Sequence, residues 1–142
     1  DTEKELSSLI YEQTGDNQNF GLIRSKGDQA LFGKSTQAMK AQWKVPDGRP
    51  LADFAPTIIL KAKDFATEIT IHNARAQNMQ NEQQISSEHI TNNQAVRQTL
   101  LDRGIRPESL PPQEDVKKVE RRLASEDKKA IKNPDGIEKT DD

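Results

Sequence analysis

The sequence predicts an all-α fold: a compact cluster of about six helices with a polar, loosely held C-terminal tail. Apolar residues recur at intervals of three or four almost throughout, which is the spacing of one helix face. Glycine and proline separate these stretches at positions that suit helix ends, and no two segments show the alternation of paired strands. We therefore expect residues 1–125 to form the helical domain and residues 126–142 to form a charged tail.

The first two predicted helices precede residue 34. Their apolar positions are Leu6, Leu9 and Ile10 in the first helix, and Phe20, Ile23, Leu31 and Phe32 in the second. Gly15 is placed to end the first helix. Asp16 or Asn17 can cap the second helix, and Gly27 lies inside that helix or at a break in it.

The third predicted helix begins at a Ser35 cap and runs through Met39 and Trp43. It must end before Pro46, because the residue that precedes a proline disfavours the helical conformation. The turn sequence "PDGRP" follows at residues 46–50.

A fourth helix of about five turns is predicted from Pro56. Its expected apolar stripe consists of Ile58, Ala62, Phe65, Ile69, His72 and Ala76. The β-branched residues of this stretch favour a strand, but a two-residue period would place Lys61 and Lys63 on the same face as Phe65. The helix is therefore the better interpretation.

Two further helices are expected after a polar connector at residues 73–84. Thr91 and Gln94 fit a capping box that opens the fifth helix. Gly104 is placed to close that helix, with Ile105 as its apolar contact. A sixth helix should follow Pro111 and Pro112, with apolar positions at Val116, Val119 and Leu123.

Composition limits the class of protein. Hydrophobic residues make up 32% of the chain and aromatic residues 4%, so the core must be small compared with domains of about 45–50% apolar residues. No run approaches the roughly 18 apolar residues of a membrane span, and no apolar leader opens the chain. We expect a soluble, cytoplasmic protein without disulfides, because the chain has no cysteine. Because the chain begins at Asp1, we expect it to be part of a longer protein.

The charge is unevenly distributed. Residues 1–23 carry one lysine against five acids, whereas residues 24–63 carry eight lysines or arginines against three aspartates, a net charge of +5. We call residues 24–63 the basic island. Such a region suits phosphate or an acidic partner, although a solvated helix face is the commoner explanation. Its candidate nucleic-acid contacts are Lys34, Lys40, Lys44 and Lys61, with Trp43 either a stacking surface or, more in keeping with so small a core, a buried residue.

The stretch "KGDQALFGKST" at residues 26–36 resembles a phosphate-binding loop but fails its spacing. The Walker A pattern needs a glycine five residues before Gly33, and that position is Asp28, while Gly27 lies one residue too far away. No buried strand leads into the stretch. We therefore interpret Gly33 as a helix end and Ser35 as the cap of the next helix.

The sequence offers no catalytic, metal-binding or cofactor-binding residues. His72 is expected in the core and His89 at a polar helix start, and without cysteine a zinc site would need carboxylates that the pattern does not place. Glu68 and His72 lie one turn apart, where a simple side-chain contact is the better interpretation. No nucleophile motif is present, so we expect that the protein is not an enzyme.

Three stretches carry a family resemblance: "FGLIRSKGDQALFG" at 20–33, "RPLADFAPTIILKAKDFATEIT" at 49–70 and "VRQTLLDRGIRPESLPPQEDVKKVERRL" at 96–123. Taken together and in order, they resemble the C-terminal half of the DNA-damage-inducible protein D (DinD) family. The resemblance spans most of residues 5–127, and the long middle stretch is far more specific than a short motif. Relatives commonly have a glycine where this chain has Lys34.

The resemblance implies a bacterial protein of the SOS response that acts on RecA filaments on single-stranded DNA and limits strand exchange. It implies a nucleoid location during that response, and a preceding domain similar to the N-terminal domain of viral and phage BRO-type proteins. It brings no catalytic residues and no cofactor.

Three functions remain open: a helical domain that binds a protein partner such as the RecA filament, a DNA-binding or homo-oligomerisation module of a BRO-type regulator, and an unrecognised enzyme. For a protein partner, the expected contacts are four arginines of the charge-balanced region 92–123, where the planar guanidinium suits interfaces. They are Arg103, Arg106, Arg121 and Arg122.

Overall fold

The computed structural model describes residues 1–113, and every regular element within this range is helical. The α-helices are α1 (Thr2–Thr14), α2 (Phe20–Phe32), α3 (Thr36–Trp43), α4 (Thr57–Ala76) and α5 (Glu82–Asp102), with short 3-10 helices at Leu51–Phe54 and Pro107–Ser109. The all-α class is confirmed, with five α-helices in the described range instead of about six. The predicted sixth helix, the tail at 126–142, Arg121 and Arg122 lie outside the described residues.

The central helix is α5, which packs against both α2 and α4. It runs parallel to α2, because contacts join the starts and the ends of the two helices. Near the starts, Asn19 Nδ2 donates to Glu82 at 3.1 Å. Near the ends, Arg97 Nη1 donates to the carbonyl of Leu31 at 3.0 Å.

Helix α1 runs parallel to α4 on the other side of the bundle. Thr2 at the start of α1 donates to Asp64 at 2.7 Å, and Gln13 near its end donates to the carbonyl of Ala74 at 3.3 Å. Helices α4 and α5 form an antiparallel pair joined by residues 77–81. The four long helices therefore form an up-down-up-down arrangement, with α3 placed between α2 and α4 in sequence.

The apolar interior has two parts. One surrounds Trp43 and Phe32, whose rings meet edge to face with centroids 5.6 Å apart. The other surrounds Leu9 and Ile10 and is formed mainly by α1 with parts of α2, α4 and α5. Trp43 is a core residue, because it is only 5% exposed and its indole N–H donates to the carbonyl of Leu110 at 3.1 Å.

Several predicted helix ends are confirmed. Gly15 and Gly33 follow α1 and α2 in the left-handed conformation, and the Ser35 hydroxyl accepts a hydrogen bond from the N–H of Ala38 at 3.1 Å. Gly104 has a φ of 80°. These short-range signals depend on neighbouring residues alone, so they could be predicted from the sequence.

The predicted start of α2 is wrong by two or three residues. Asp16 and Asn17 do not cap the helix, which begins at Phe20 with no side-chain cap at Asn19. Instead, Asp16 accepts from the N–H of Gln18 at 2.8 Å. The Asp16 carboxylate thus closes a local turn that precedes the helix, and it does not cap α2.

Helix α4 is confirmed as a helix, but four of the six residues of the predicted apolar stripe are exposed, whereas Ala62 is buried and Ile69 half-buried. Phe65 and Ile58 are 62% and 42% exposed, and His72 and Ala76 are exposed as well. The buried face lies about one residue further along, and it is made largely of small residues. Its members are Ile59, Ala62, Ala66, Thr67, Thr70, Ile71 and Ala74. Small side chains let the neighbouring helices approach closely. The prediction missed this face because it was based on the spacing of the large apolar residues.

The predicted start of α5 is also wrong. The helix begins at Glu82, where Asn81 accepts from the N–H of Gln84 at 2.8 Å, so Thr91 lies in the helix interior. The buried face of α5 is mainly polar and therefore lacks an apolar signal. Within residues 1–113, no helix is long and apolar enough to cross a membrane.

Candidate functional site

Part of the basic island is neutralised within the fold. Lys63 Nζ lies 3.1 Å from Asp28 Oδ1 and 3.8 Å from Glu3 Oε2. Arg49 pairs with Asp53 at 2.6 Å. The Lys63 pairs join α4 to α1 and α2, whereas the Arg49 pair is local to residues 49–53. The net charge of the island therefore overstates the charge that it presents to a ligand.

The four lysines predicted as nucleic-acid contacts form no ion pairs with the described residues. Lys34, Lys40 and Lys44 lie on α3 or beside its ends, and Lys34 Nζ donates to the Gln42 side chain at 2.6 Å. Lys61 lies on α4 and lines a separate hollow of about 420 Å³ near the start of α1. That hollow brings Lys61 together with none of the three α3 lysines.

Lys44 has an unusual backbone conformation. It follows α3 with a φ of 57°, where its N–H donates to the carbonyl of Ala41 at 3.3 Å. Glycine is favoured at this position of a helix end, and a residue with a side chain costs about 1 kcal/mol there. The fold therefore holds a cationic residue at a position where a glycine would be more stable.

The predicted partner-contact arginines within the described range lie at the C-terminal end of α5. Arg103 is exposed where α5 ends. Arg106 has a side chain that is 60% exposed, with Nη1 3.5 Å from Glu108 Oε2. Both arginines are therefore exposed, Arg103 at the end of the central helix and Arg106 at the start of the 3-10 helix that follows it.

A third arginine at this end, Arg97, was not predicted. Its guanidinium binds both carboxylate oxygens of Glu108, at 2.8 and 2.9 Å, and also donates to the carbonyl of Leu31 at 3.0 Å. The hydrogen bonds from Arg97 lower the pKa of Glu108 to about 2, and the same pairing raises the pKa of Arg97. No periodic signal links the two residues, because the chain reverses at Gly104 between them.

A groove of about 650 Å³ runs between α2 and α5. It is lined by Lys26, Gln29, Ala30, Gly33, Ile90, Gln94, Arg97 and Gln98. No acid is among these residues, and Lys26 forms no ion pair with the described residues. A cation and several amides can hydrogen-bond a polar or anionic chain, so Lys26, which already belongs to the basic island, is a candidate contact within this groove.

A buried polar layer joins α4 and α5 between the two apolar clusters. Thr70 donates to the carbonyl of Ala66 at 3.0 Å and accepts from Asn92 at 3.0 Å. His89 Nδ1 lies 2.9 Å from the same hydroxyl oxygen. The single hydroxyl proton is already used, so Nδ1–H donates and the neutral ring carries its proton on Nδ1.

His89 is thus placed differently from the prediction. It is 5% exposed, whereas His72, the expected core histidine, is exposed. Burial lowers the pKa of His89 from 6.5 to about 4; the charge of Asp28 raises this pKa and that of Lys63 lowers it. The positions were exchanged in the prediction because α5 buries polar residues while α4 turns His72 outward.

Gly27 explains how α2 can approach this layer. A Cβ at this position would lie 2.6 Å from the ring atoms Cδ2 and Nε2 of His89. Gly27 is a regular helical residue inside α2, so the absence of a side chain matters here for space.

The stretch that resembles a Walker A loop is helical. Residues 26–32 belong to α2, and the N–H of Gly33 donates to the carbonyl of Gln29 at 2.8 Å. The backbone N–H groups of a phosphate-binding loop would instead point inward at the ligand. The structure therefore confirms that Gly33 and Ser35 mark a helix boundary. Among the described residues, no three His, Cys, Asp or Glu side chains are grouped to hold a metal ion.

Comparisons with curated proteins and with solved structures find no significant match. A scan against protein-family models matches residues 3–119 to the DinD C-terminal domain. The match covers most of the 142-residue chain and all but the first two of the described residues up to Gln113. The chain therefore belongs to the DinD C-terminal domain family.

Proposed function

We propose that this protein acts in the response to DNA damage by binding RecA filaments on single-stranded DNA and limiting strand exchange. Membership of the DinD C-terminal domain family is the observation that carries the proposal. The described helices would serve as an interaction domain, and the protein would work at the nucleoid. No catalytic role is proposed for any residue.

The C-terminal end of α5 is the better surface for a protein partner. Arg103 and Arg106 are exposed there, and Arg97 lies beside them in the adjoining groove. Arginine is favoured at interfaces because its planar guanidinium binds carboxylates through two hydrogen bonds. The full chain has a net charge of -2, which favours this local contact over a general attraction to DNA.

The test compares two sets of substitutions in the full-length protein. One variant carries Arg103→Ala and Arg106→Ala, and the other carries Lys40→Ala, Lys44→Ala and Lys61→Ala. Inhibition of RecA strand exchange is measured for each, with circular dichroism to show that both remain folded. The proposal expects the arginine variant to lose inhibition and the lysine variant to keep most of it. If neither variant changes the inhibition, this domain does not carry the contact.

The alternative is a DNA-binding or oligomerisation module of a BRO-type regulator. The observation that favours it is the conformation of Lys44, since residues in strained conformations cluster at functional sites. Lys44→Gly should then stabilise the fold by about 1 kcal/mol while weakening binding to single-stranded DNA. Each lost phosphate contact should reduce the slope of log affinity against log salt by about one. Binding to a RecA filament that barely depends on salt would argue against this alternative.

A further inference from the structure

Helix α4 has an exposed face on the side away from α1 and α5, the helices that it packs against. Ile58 is 42% exposed and Phe65 62%, and Lys61, Glu68 and His72 are exposed as well. The five residues follow one another at intervals of three or four, so they form one stripe about 21 Å long. We refer to them as the outer face of α4. Large apolar side chains grouped on one face mark an interaction surface, whereas single scattered ones do not.

The spacing of this face fits another helix. Ile58, Phe65 and His72 are seven residues apart, and Lys61 and Glu68 are separated by the same interval. A seven-residue repeat with alternating intervals of three and four is the pattern by which two helices pack along a common seam. The partner that suits the outer face of α4 is therefore a helix that lies along it.

The charges on the outer face lie on opposite sides of Phe65. Lys61 precedes it by one turn and Glu68 follows it by one turn. Neither residue forms an ion pair with any other part of residues 1–113. The face thus has a cationic half and an anionic half on either side of an apolar centre. Such a surface is complementary to a reversed copy of itself, as a two-fold symmetric contact requires.

We propose that the outer face of α4 is a self-association surface, where two copies of the protein pair their α4 helices antiparallel about a two-fold axis at Phe65. Phe65 of each copy then packs against Phe65 of the other, and Lys61 of each lies beside Glu68 of the other. Ile58 of each copy meets His72 of the other. A parallel pair would instead place Lys61 beside Lys61 and Glu68 beside Glu68, which like-charge repulsion disfavours.

The contact is small, because it uses one stripe of a single helix. It belongs at the low end of the range of interface sizes, where association is weak and reversible. It does not use Arg103 or Arg106, and it involves only copies of this chain. Self-association and the RecA contact can therefore be tested independently.

Sedimentation equilibrium of the whole chain, at concentrations up to the millimolar range, measures the association. The unchanged protein should show a reversible equilibrium between monomer and dimer. Phe65→Glu should abolish the dimer, because it brings two carboxylates together at the two-fold axis. Leu22→Glu is the matched control, since Leu22 is 54% exposed on α2, and it should leave the dissociation constant unchanged. Circular dichroism shows whether both variants remain folded.

Charge reversal tests the antiparallel arrangement. Lys61→Glu would place two acids beside each Glu68 contact, and Glu68→Lys would place two lysines together. Each substitution alone should weaken the dimer at least about tenfold through like-charge repulsion. A variant that carries both substitutions exchanges the two charges and restores both ion pairs, so its dissociation constant should return towards that of the unchanged protein.

Four results would overturn the proposal. The unchanged protein could remain a monomer at every concentration, or it could form assemblies larger than a dimer. Leu22→Glu could weaken association as much as Phe65→Glu does, which would assign the contact to another surface. The two charge reversals together could be no better than either alone, which would exclude the antiparallel pair. None of these measurements contains RecA or DNA, so failure here leaves the proposed function to be tested separately.

Discussion

At the scale of single residues, the close packing of Gly27 against His89 determines how α2 and α5 meet. The two residues are 62 positions apart, and the missing side chain of one makes room for the imidazole of the other. His89 is held neutral by burial and is hydrogen-bonded to Thr70. The steric fit between Gly27 and His89 and the neutral state of the His89 ring can be tested separately.

Gly27→Ala should destabilise the protein by about 1–3 kcal/mol, because the new Cβ would overlap a buried ring. Gly21→Ala is the matched control in the same helix. Nothing lies within 4 Å of a Cβ at Gly21, so that substitution should stabilise the helix by about 0.4–1 kcal/mol. Urea unfolding of the two variants measures both effects, and equal changes would show that His89 yields to the added methyl group.

The neutral state of His89 should make the stability of the protein depend on pH. The pKa is about 4 in the fold and 6.5 without burial, so between these values the unfolded chain binds the proton more readily. The stability that His89 contributes is therefore complete at pH 7 and is lost as the pH falls through 6.5 towards 4. Between pH 7 and pH 5 the expected loss is about 2 kcal/mol.

Urea unfolding of the unchanged protein and of His89→Gln at the two pH values isolates this contribution. The variant cannot titrate at this position, so its free energy of unfolding should change much less between pH 7 and pH 5. Charges that face the ring, Asp28 and Lys63, are present in both proteins. A similar pH dependence in the two would mean that His89 is not the titrating group.

At the scale of elements, helix ends follow local rules while helix faces do not. The end of α5 is a full Schellman arrangement: Gly104 donates to the carbonyl of Leu101 at 2.9 Å, and Ile105 donates to that of Leu100 at 2.8 Å. The buried face of α4, in contrast, depends on which helices pack against it. This is why Gly104 was placed correctly, whereas most of the predicted α4 stripe was not.

Gly104→Val should cost at least about 1 kcal/mol, because a β-branched residue is strained at a φ of 80°. A Cβ here would meet no atom within 4 Å, so the loss would measure backbone strain without a steric clash. Gly104→Asn is the control, since asparagine tolerates this conformation better. Thermal unfolding should rank glycine first, asparagine second and valine last; a valine variant as stable as the parent would contradict this account.

At the scale of the whole molecule, the pair between Arg97 and Glu108 joins the end of α5 to the segment that returns towards α3 and α4. The same arginine also binds the carbonyl of Leu31 at the end of α2. The Glu108 carbonyl in turn accepts from Gln42 of α3 at 2.8 Å. One partly buried ion pair thus connects three helices.

Glu108→Gln should destabilise the protein by about 2 kcal/mol, because it leaves the Arg97 guanidinium without its charged partner. Asp102→Asn, an exposed acid at the same end of α5, should change stability by less than about 0.5 kcal/mol. The Glu108 contribution is present above its ordinary pKa of 4.5 and is lost as the pH falls towards 2. The free energy of unfolding, measured with urea, should therefore fall less between pH 7 and pH 3 for Glu108→Gln than for the unchanged protein. Equal falls in the two proteins would contradict this role of Glu108.

Some candidate contacts could be predicted from the sequence, and others are apparent only in the packed structure. The lysines at 34, 40 and 44 and the arginines at 103 and 106 were identified from charge patterns alone, and the structure leaves them accessible or without ion pairs. The charge pattern did not indicate that Lys26 and Arg97 line the same groove, because the groove exists only where α2 packs against α5.

By itself, the sequence determined the helical class, most helix ends and the burial of Trp43, because each depends on nearby residues or on the scarcity of large apolar side chains. The tertiary structure decided which faces are buried. Alanine, threonine and glycine allow close helix contacts, so Phe65 lies outside while Ala66 lies inside. A polar side chain such as His89 can be buried only when distant residues satisfy its hydrogen bonds. Those partners come together only when the helices pack.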